Sequence, residues 1–113
     1  MADDTNQLFL GLARHDPTVL EAVLRARLDN LEASGLDART YALANVAALI
    51  ATDAAPASYV WQVGAALEAG VAPEEILGLL VALNPLLGNA RIVAAAPEIA
   101  LALGVDLDAL EGD

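Results

Sequence analysis

Apolar residues recur along this chain at the three-to-four-residue spacing of helices, and no segment shows the β-branched alternation of a strand. The pattern predicts an all-α fold, a compact helical domain of about six helices. A short first helix is expected over 6–14. Asp16-Pro17 then supplies an N-cap and a proline at the first helical position, and Val19, Leu20, Val23, Leu24, Leu28 and Leu31 form a stripe ending at Gly35. Asp37 caps a third helix through 52, with Leu43, Val46, Ala47 and Ile50 on one face. Ala54-Ala55-Pro56 opens a fourth, closed by Gly70. Pro73 opens a fifth, whose first-turn Glu74 and Glu75 meet the positive end of the helix dipole. Over 74 to about 83 this helix is apolar nearly all round after its first turn, which predicts the central buried helix, disrupted by Asn84-Pro85. A last helical region is expected over 88–103, kinked or broken at Pro97, which cannot donate to the carbonyl of Val93, and stopped by Gly104. No repeat or linker divides the chain, so residues 1–113 are expected to form a single domain with N-terminal helices over 6–34 and an acidic tail over 105–113.

Composition sharpens this picture. The apolar share is 58% before glycine is counted, above the roughly 45–50% of ordinary globular domains with glycine included. The longest apolar run, interrupted at Asn84-Pro85, falls short of the ~20 residues a spanning helix needs, so no membrane insertion is expected. A small domain covers excess apolar surface most readily with copies of itself, which predicts a homo-oligomer. Alanine, at 26 residues, inflates the count while adding little area per residue, and is the competing explanation. Sixteen acidic residues face five arginines and no lysine, a net charge of −11 that argues against nucleic acid and anionic membrane surfaces as partners. The acidic start Met1-Ala2-Asp3-Asp4 lacks the positive charge of a presequence, and a cytoplasmic location is the expectation. Cysteine is absent, which removes disulfides, thiolate catalysis and thiolate metal ligation.

From Leu36-Asp37-Ala38-Arg39-Thr40 through an alanine-rich helix to Ala65-Ala66-Leu67-Glu68-Ala69-Gly70-Val71-Ala72-Pro73-Glu74-Glu75-Ile76, the order of features resembles the carboxymuconolactone decarboxylase family, which includes the alkyl-hydroperoxidase D type proteins. The part that carries most is Ala66 to Ile76, an A-L-x-x-G-V-x-P-E-E-I pattern joining two helices, and the likeness covers about 36–104. It implies an all-helical fold assembled as a trimer or hexamer, with a small-molecule pocket near subunit contacts. Peroxidase-type members carry two cysteines three apart and a histidine four residues after the second. Those positions fall on Ala55, Ser58 and Gln62 here. Without thiolates the disulfide-cycling chemistry is not inherited. Decarboxylase-type members keep the histidine. Gln62 can orient a substrate or stabilise an enolate but cannot titrate.

The candidate site residues follow from this frame. Ser58 and Gln62, one turn apart and opposite a stripe of Val60, Val63 and Leu67, are catalytic candidates with Tyr59. Equally, Ser58 can be a first-turn capping residue and Gln62 a solvent-facing one. Asp53 can be a carboxylate beside the pocket or a helix N-cap. Trp61 can wall the pocket with Tyr59, although anchoring a subunit interface is the commoner use of a lone indole. Asn84, Asn89 and Arg91 surround the break after Pro85, and Arg91 can clamp a carboxylate or pair with an acidic residue. Arg39 is expected to reach Glu74 or Glu75. These two glutamates point about 100° apart and make no acid/base pair. His15, with no histidine or cysteine companion, reads as a surface turn residue, so neither a metal nor an organic cofactor is expected. The functional expectation is a small-molecule-binding protein, or cofactor-independent enzyme acting on a small carboxylate or lactone by proton transfer, and not a thiol peroxidase. The alternative is a catalytically inactive oligomeric scaffold or binding protein of the same fold.

Overall fold

The computed structural model describes Arg14 and residues 16–105. The helix expected over 6–14, Arg14 apart, lies outside the described residues, as do His15 and the acidic tail beyond Val105. All elements described are helices, and they fall into two compact units divided between Leu36 and Asp37.

In the first unit, α1 spans Pro17–Ser34 and begins as its sequence predicts. Asp16 Oδ1 accepts the Thr18 N–H at 2.9 Å, Pro17 takes the first helical position, and Gly35 at φ 71° ends the helix. Glu21 and Arg25 pair at 3.4 Å on its exposed surface, where such pairs contribute only a few tenths of a kcal/mol.

The second unit contains α2 (Ala38–Thr52), α3 (Pro56–Glu68), α4 (Pro73–Leu87) and α5 (Asn89–Ala102). Its core is entirely aliphatic and aromatic: Ala42, Val46 and Ile50 from α2, Tyr59, Val63 and Ala66 from α3, Val71, Ile76 from α4, and Ala95 and Ile99 from α5. No polar or charged side chain is buried among the described residues. Helices α2 and α5 each pack on the other three, which makes them the centre of the unit.

Two expectations are corrected here. Helix α4, despite its apolar circumference, is not the central helix. Only Ile76 of its fifteen residues is buried, while Leu77, Val81 and Leu86 are exposed. It packs along one side on α2 and α5, and nothing within the unit covers the rest. The prolines also leave their helices continuous: Asn84-Pro85 does not disrupt α4, which runs on to Leu87, and Pro97 does not break α5, which runs on to Ala102. The reason is position. Pro85 and Pro97 are exposed, as are Val81 and Val93, the residues whose carbonyls each proline leaves unpaired, so water can serve those acceptors.

The start of α2 and the start of α4 are tied together by side chains. Asp37 caps α2, its Oδ1 accepting the Thr40 N–H at 2.7 Å. Arg39 donates from Nη2 to Glu75 Oε2, and Glu75 Oε1 accepts the Ala72 N–H at 3.0 Å. The Thr40 hydrogen bonds hold the Asp37 carboxyl below its usual range, and the Arg39 hydrogen bond does the same for Glu75. Both folded-state values lie below the unfolded ones, so their contribution is present above the ordinary carboxylate range and is lost as pH falls through the folded values. The thermal midpoint is therefore expected to fall below about pH 4. In an Asp37→Asn/Glu75→Gln double variant that fall should be shallower, and an unchanged acid branch would refute these two contacts as its source.

Candidate functional site

The corner between α2 and α3 brings together several of the candidate residues. Helix α2 ends in a Schellman turn, with the Ala54 N–H donating to the Leu49 carbonyl at 3.1 Å and the Asp53 N–H to the Ile50 carbonyl at 3.4 Å. The turn requires a left-handed residue, and Asp53 takes it at φ 53°, the single non-glycine residue with positive φ among those described. At the end of α3 the equivalent turn uses Gly70, φ 89°, with Val71 N–H bonded to Ala66 O at 3.0 Å. Asp53 is thus a C-terminal cap of α2, not the N-cap of the following helix. That N-cap is Ala55, which makes no side-chain bond, and Pro56 supplies the first helical residue.

Tyr59 is buried in the core, and its hydroxyl donates to the Leu49 carbonyl at 3.1 Å, binding the first turn of α3 to the last turn of α2. Burial raises the pKa of the phenol, the charges of Asp53 and Glu98 raise it further, and Arg91 opposes them. The phenol therefore stays protonated and serves as a donor, which makes it a structural member of the corner rather than a pocket wall or a base.

With Tyr59, Val63 and Ala66 facing inward, the buried stripe of α3 is rotated from the expected Val60–Val63–Leu67 line. Val63 is in the core, and Val60 and Leu67 are exposed along one flank. Ser58 and Gln62 are half-buried and lie along the other flank, as the 100° per residue of a helix requires. Trp61, two residues past Tyr59, is exposed on the side of α3 turned away from the core stripe.

Arg91 comes to this corner from the first turns of α5. Its Nη1 lies 4.0 Å from Asp53 Oδ2, with the two side chains 41% and 61% exposed. That separation is an ion pair without a hydrogen bond. Among the described residues Arg91 has no other hydrogen-bonding or ionic partner. Asn84, half-buried near the end of α4, gives its carbonyl to the Gly88 N–H at 2.9 Å, and Asn89 is exposed at the start of α5. Neither side chain hydrogen-bonds to the corner. Arg39 is engaged with Glu75. No three acidic, histidine or cysteine side chains come together to hold a metal ion among the described residues.

Two participants escaped the sequence reading. Glu98 stands seven residues after Arg91, on the same face of α5, a spacing that would have shown it. The left-handed Asp53 follows from Pro56. The residue before a proline is extended, so a chain leaving one helix and starting the next at 56 must turn by 53, where aspartate tolerates left-handed backbone better than threonine or alanine.

Comparison with known proteins bears on this geometry. The carboxymuconolactone decarboxylase family model matches residues 17–101, taking in α1 as well as the four helices of the second unit. No curated protein and no solved structure matches the chain.

Proposed function

Because the chain belongs to the carboxymuconolactone decarboxylase family, we propose that it binds a small organic carboxylate or lactone at the α2–α3 corner, with Arg91 as the anion-binding group. The observation that carries this reading is the state of that arginine: a half-exposed guanidinium whose one ionic partner among the described residues lies at 4.0 Å, with its planar fork of donors unused by those residues. Ser58 and Gln62 offer a hydroxyl and an amide from the neighbouring helix, suited to orienting a carbonyl. Proton abstraction has less support, since Gln62 does not titrate and Tyr59 keeps its proton. Thiol peroxidase chemistry is closed to a chain with no cysteine. Binding, rather than turnover, is what this set of residues does best.

A second reading, an inactive oligomeric scaffold or binding protein, is favoured by the outer faces of α4 and α5. Leu77, Val81 and Leu86 on the first and Val93 and Leu101 on the second are exposed, with no charged residue at Gly78, Ala82, Pro85, Ala90, Ala94 or Pro97 between them. The occupant we propose is a second copy of this chain. Two chains of charge −11 repel each other, and a surface whose one acidic residue is Glu74, in the first turn of α4, is where they meet at low electrostatic cost. No helix among the described residues is long and apolar enough to cross a membrane, so a bilayer-spanning role does not account for this surface.

Native mass spectrometry with benzoate as a probe tests both readings together. Wild type is expected to form an assembly that binds benzoate saturably, and Arg91→Gln to form the same assembly with affinity at least about tenfold weaker. Equal binding by Arg91→Gln would overturn the carboxylate site, and a monomer at working concentration would overturn the assembly.

A further inference from the structure

We infer that Asp53 is a built-in competitor for Arg91, which an anionic ligand must displace and which thereby weakens the hold of the site on every anion. The inference rests on the carboxylate reading of Arg91 given above. Three observations meet at this residue. Among the described residues its carboxylate is the one acidic group paired with Arg91, yet at 4.0 Å it forms no hydrogen bond, so it neutralises the guanidinium without occupying its donors. Both side chains are substantially exposed, which makes the pair weak enough for a ligand in solution to open. The backbone of Asp53 is fixed independently of the pair, since its left-handed conformation and the Ala54 N–H to Leu49 carbonyl bond hold the turn whatever the carboxylate does.

A ligand carboxylate can make the two parallel N–H···O bonds that Asp53 does not, so exchange of one anion for the other is favourable at Arg91. A neutral ligand gains nothing comparable, because it leaves the Asp53–Arg91 pair in place and has to bind beside it. Arg91 sets the preference for anions, and the aspartate lowers the affinity of every anion by the strength of the pair it gives up.

Asp53→Asn tests this with little backbone disturbance, because asparagine also accepts left-handed geometry. Asp53→Gly, which adopts it more readily still, is the second variant should the first misfold. Benzoate and its neutral analogue benzamide are titrated against the full chain and followed by ligand-observed NMR. Removing the carboxylate is expected to tighten benzoate binding about two- to fivefold at low salt and to leave benzamide unchanged. Glu68→Gln, which removes an exposed acid at the end of α3, controls for the general field of the chain and should leave benzoate binding as it is. Benzoate affinity that is equal in wild type and both Asp53 variants, while Arg91→Gln abolishes it, would overturn this inference and leave the binding site standing. An equal gain from Glu68→Gln would also overturn it. Absence of benzoate binding in wild type and in both Asp53 variants would overturn the carboxylate reading itself, and this inference with it.

Discussion

Tyr59→Ala is expected to destabilise the second unit by about 3–5 kcal/mol, a large part of the whole stability of a domain this size. The ring is the largest fully buried side chain and packs in the core with Ile50, Val63 and Ile99, so truncation removes its burial and leaves a cavity among residues that are already well packed. The hydroxyl contributes a smaller share. The Leu49 carbonyl also accepts the Ala54 N–H, so Tyr59→Phe leaves no acceptor orphaned and should cost only about 1 kcal/mol. Urea denaturation of the two variants, with the midpoint falling and the slope held, separates the parts. Equal losses from the two substitutions would mean that the hydroxyl, not the ring, holds the corner.

Ile76→Ala is the second large effect, expected at about 2–5 kcal/mol. Helix α4 has no other fully buried side chain, and Leu79, Leu80, Leu83 and Leu87 pack on the core only partly buried, so Ile76 is its deepest anchor. Its loss should also show locally, as amide exchange in α4 that accelerates well beyond that in α2, where Ala42, Val46 and Ile50 share the task. Val81→Ala supplies the contrast. At 78% exposure Val81 has little to lose within one chain, and its substitution should stay within about 0.5 kcal/mol for an isolated copy. A larger effect of Val81→Ala that grows with protein concentration would locate the cover of α4 in a second copy.

The contrast between Ile76 and Val81 shows where sequence reasoning reaches and where it stops. Helix positions and ends were legible because they depend on local chemistry: Asp16-Pro17 and Asp37 cap, Gly35, Gly70 and Gly104 terminate, and each does so in the structure. The inward face of α2 was legible for the same reason, through the period of Val46 and Ile50. For α4 periodicity fails, since a helix that is apolar all round carries no record of which side its neighbours cover. The two internal prolines misled in another way. A proline's effect on a helix depends on whether the carbonyl it strands is dry or wet, and that is a property of the packed unit.

At the candidate site, Arg91 and Asp53 were each legible as unusual residues, but their meeting was not, because it joins α5 to the α2–α3 turn across 38 positions of sequence. Tyr59 was drawn as part of a pocket because its neighbours Ser58 and Gln62 match the family's functional positions. One residue of rotation along α3 puts it in the core instead.

The way the corner is held has a consequence for how such a protein can change over evolutionary time. The joint between α2 and α3 is made by the Leu49 carbonyl, the Tyr59 hydroxyl and the main chain of Asp53 and Ala54. Ala55, Ser58 and Gln62, the positions onto which the family resemblance maps the reactive groups of thiol-bearing members, supply none of the side-chain links of that joint. Side chains at these three positions can therefore be gained, exchanged or discarded by point mutation without unmaking that joint. A lineage can pass through chemically silent members without passing through unfolded ones, and the same property makes 55, 58 and 62 the positions at which to install new reactivity by design.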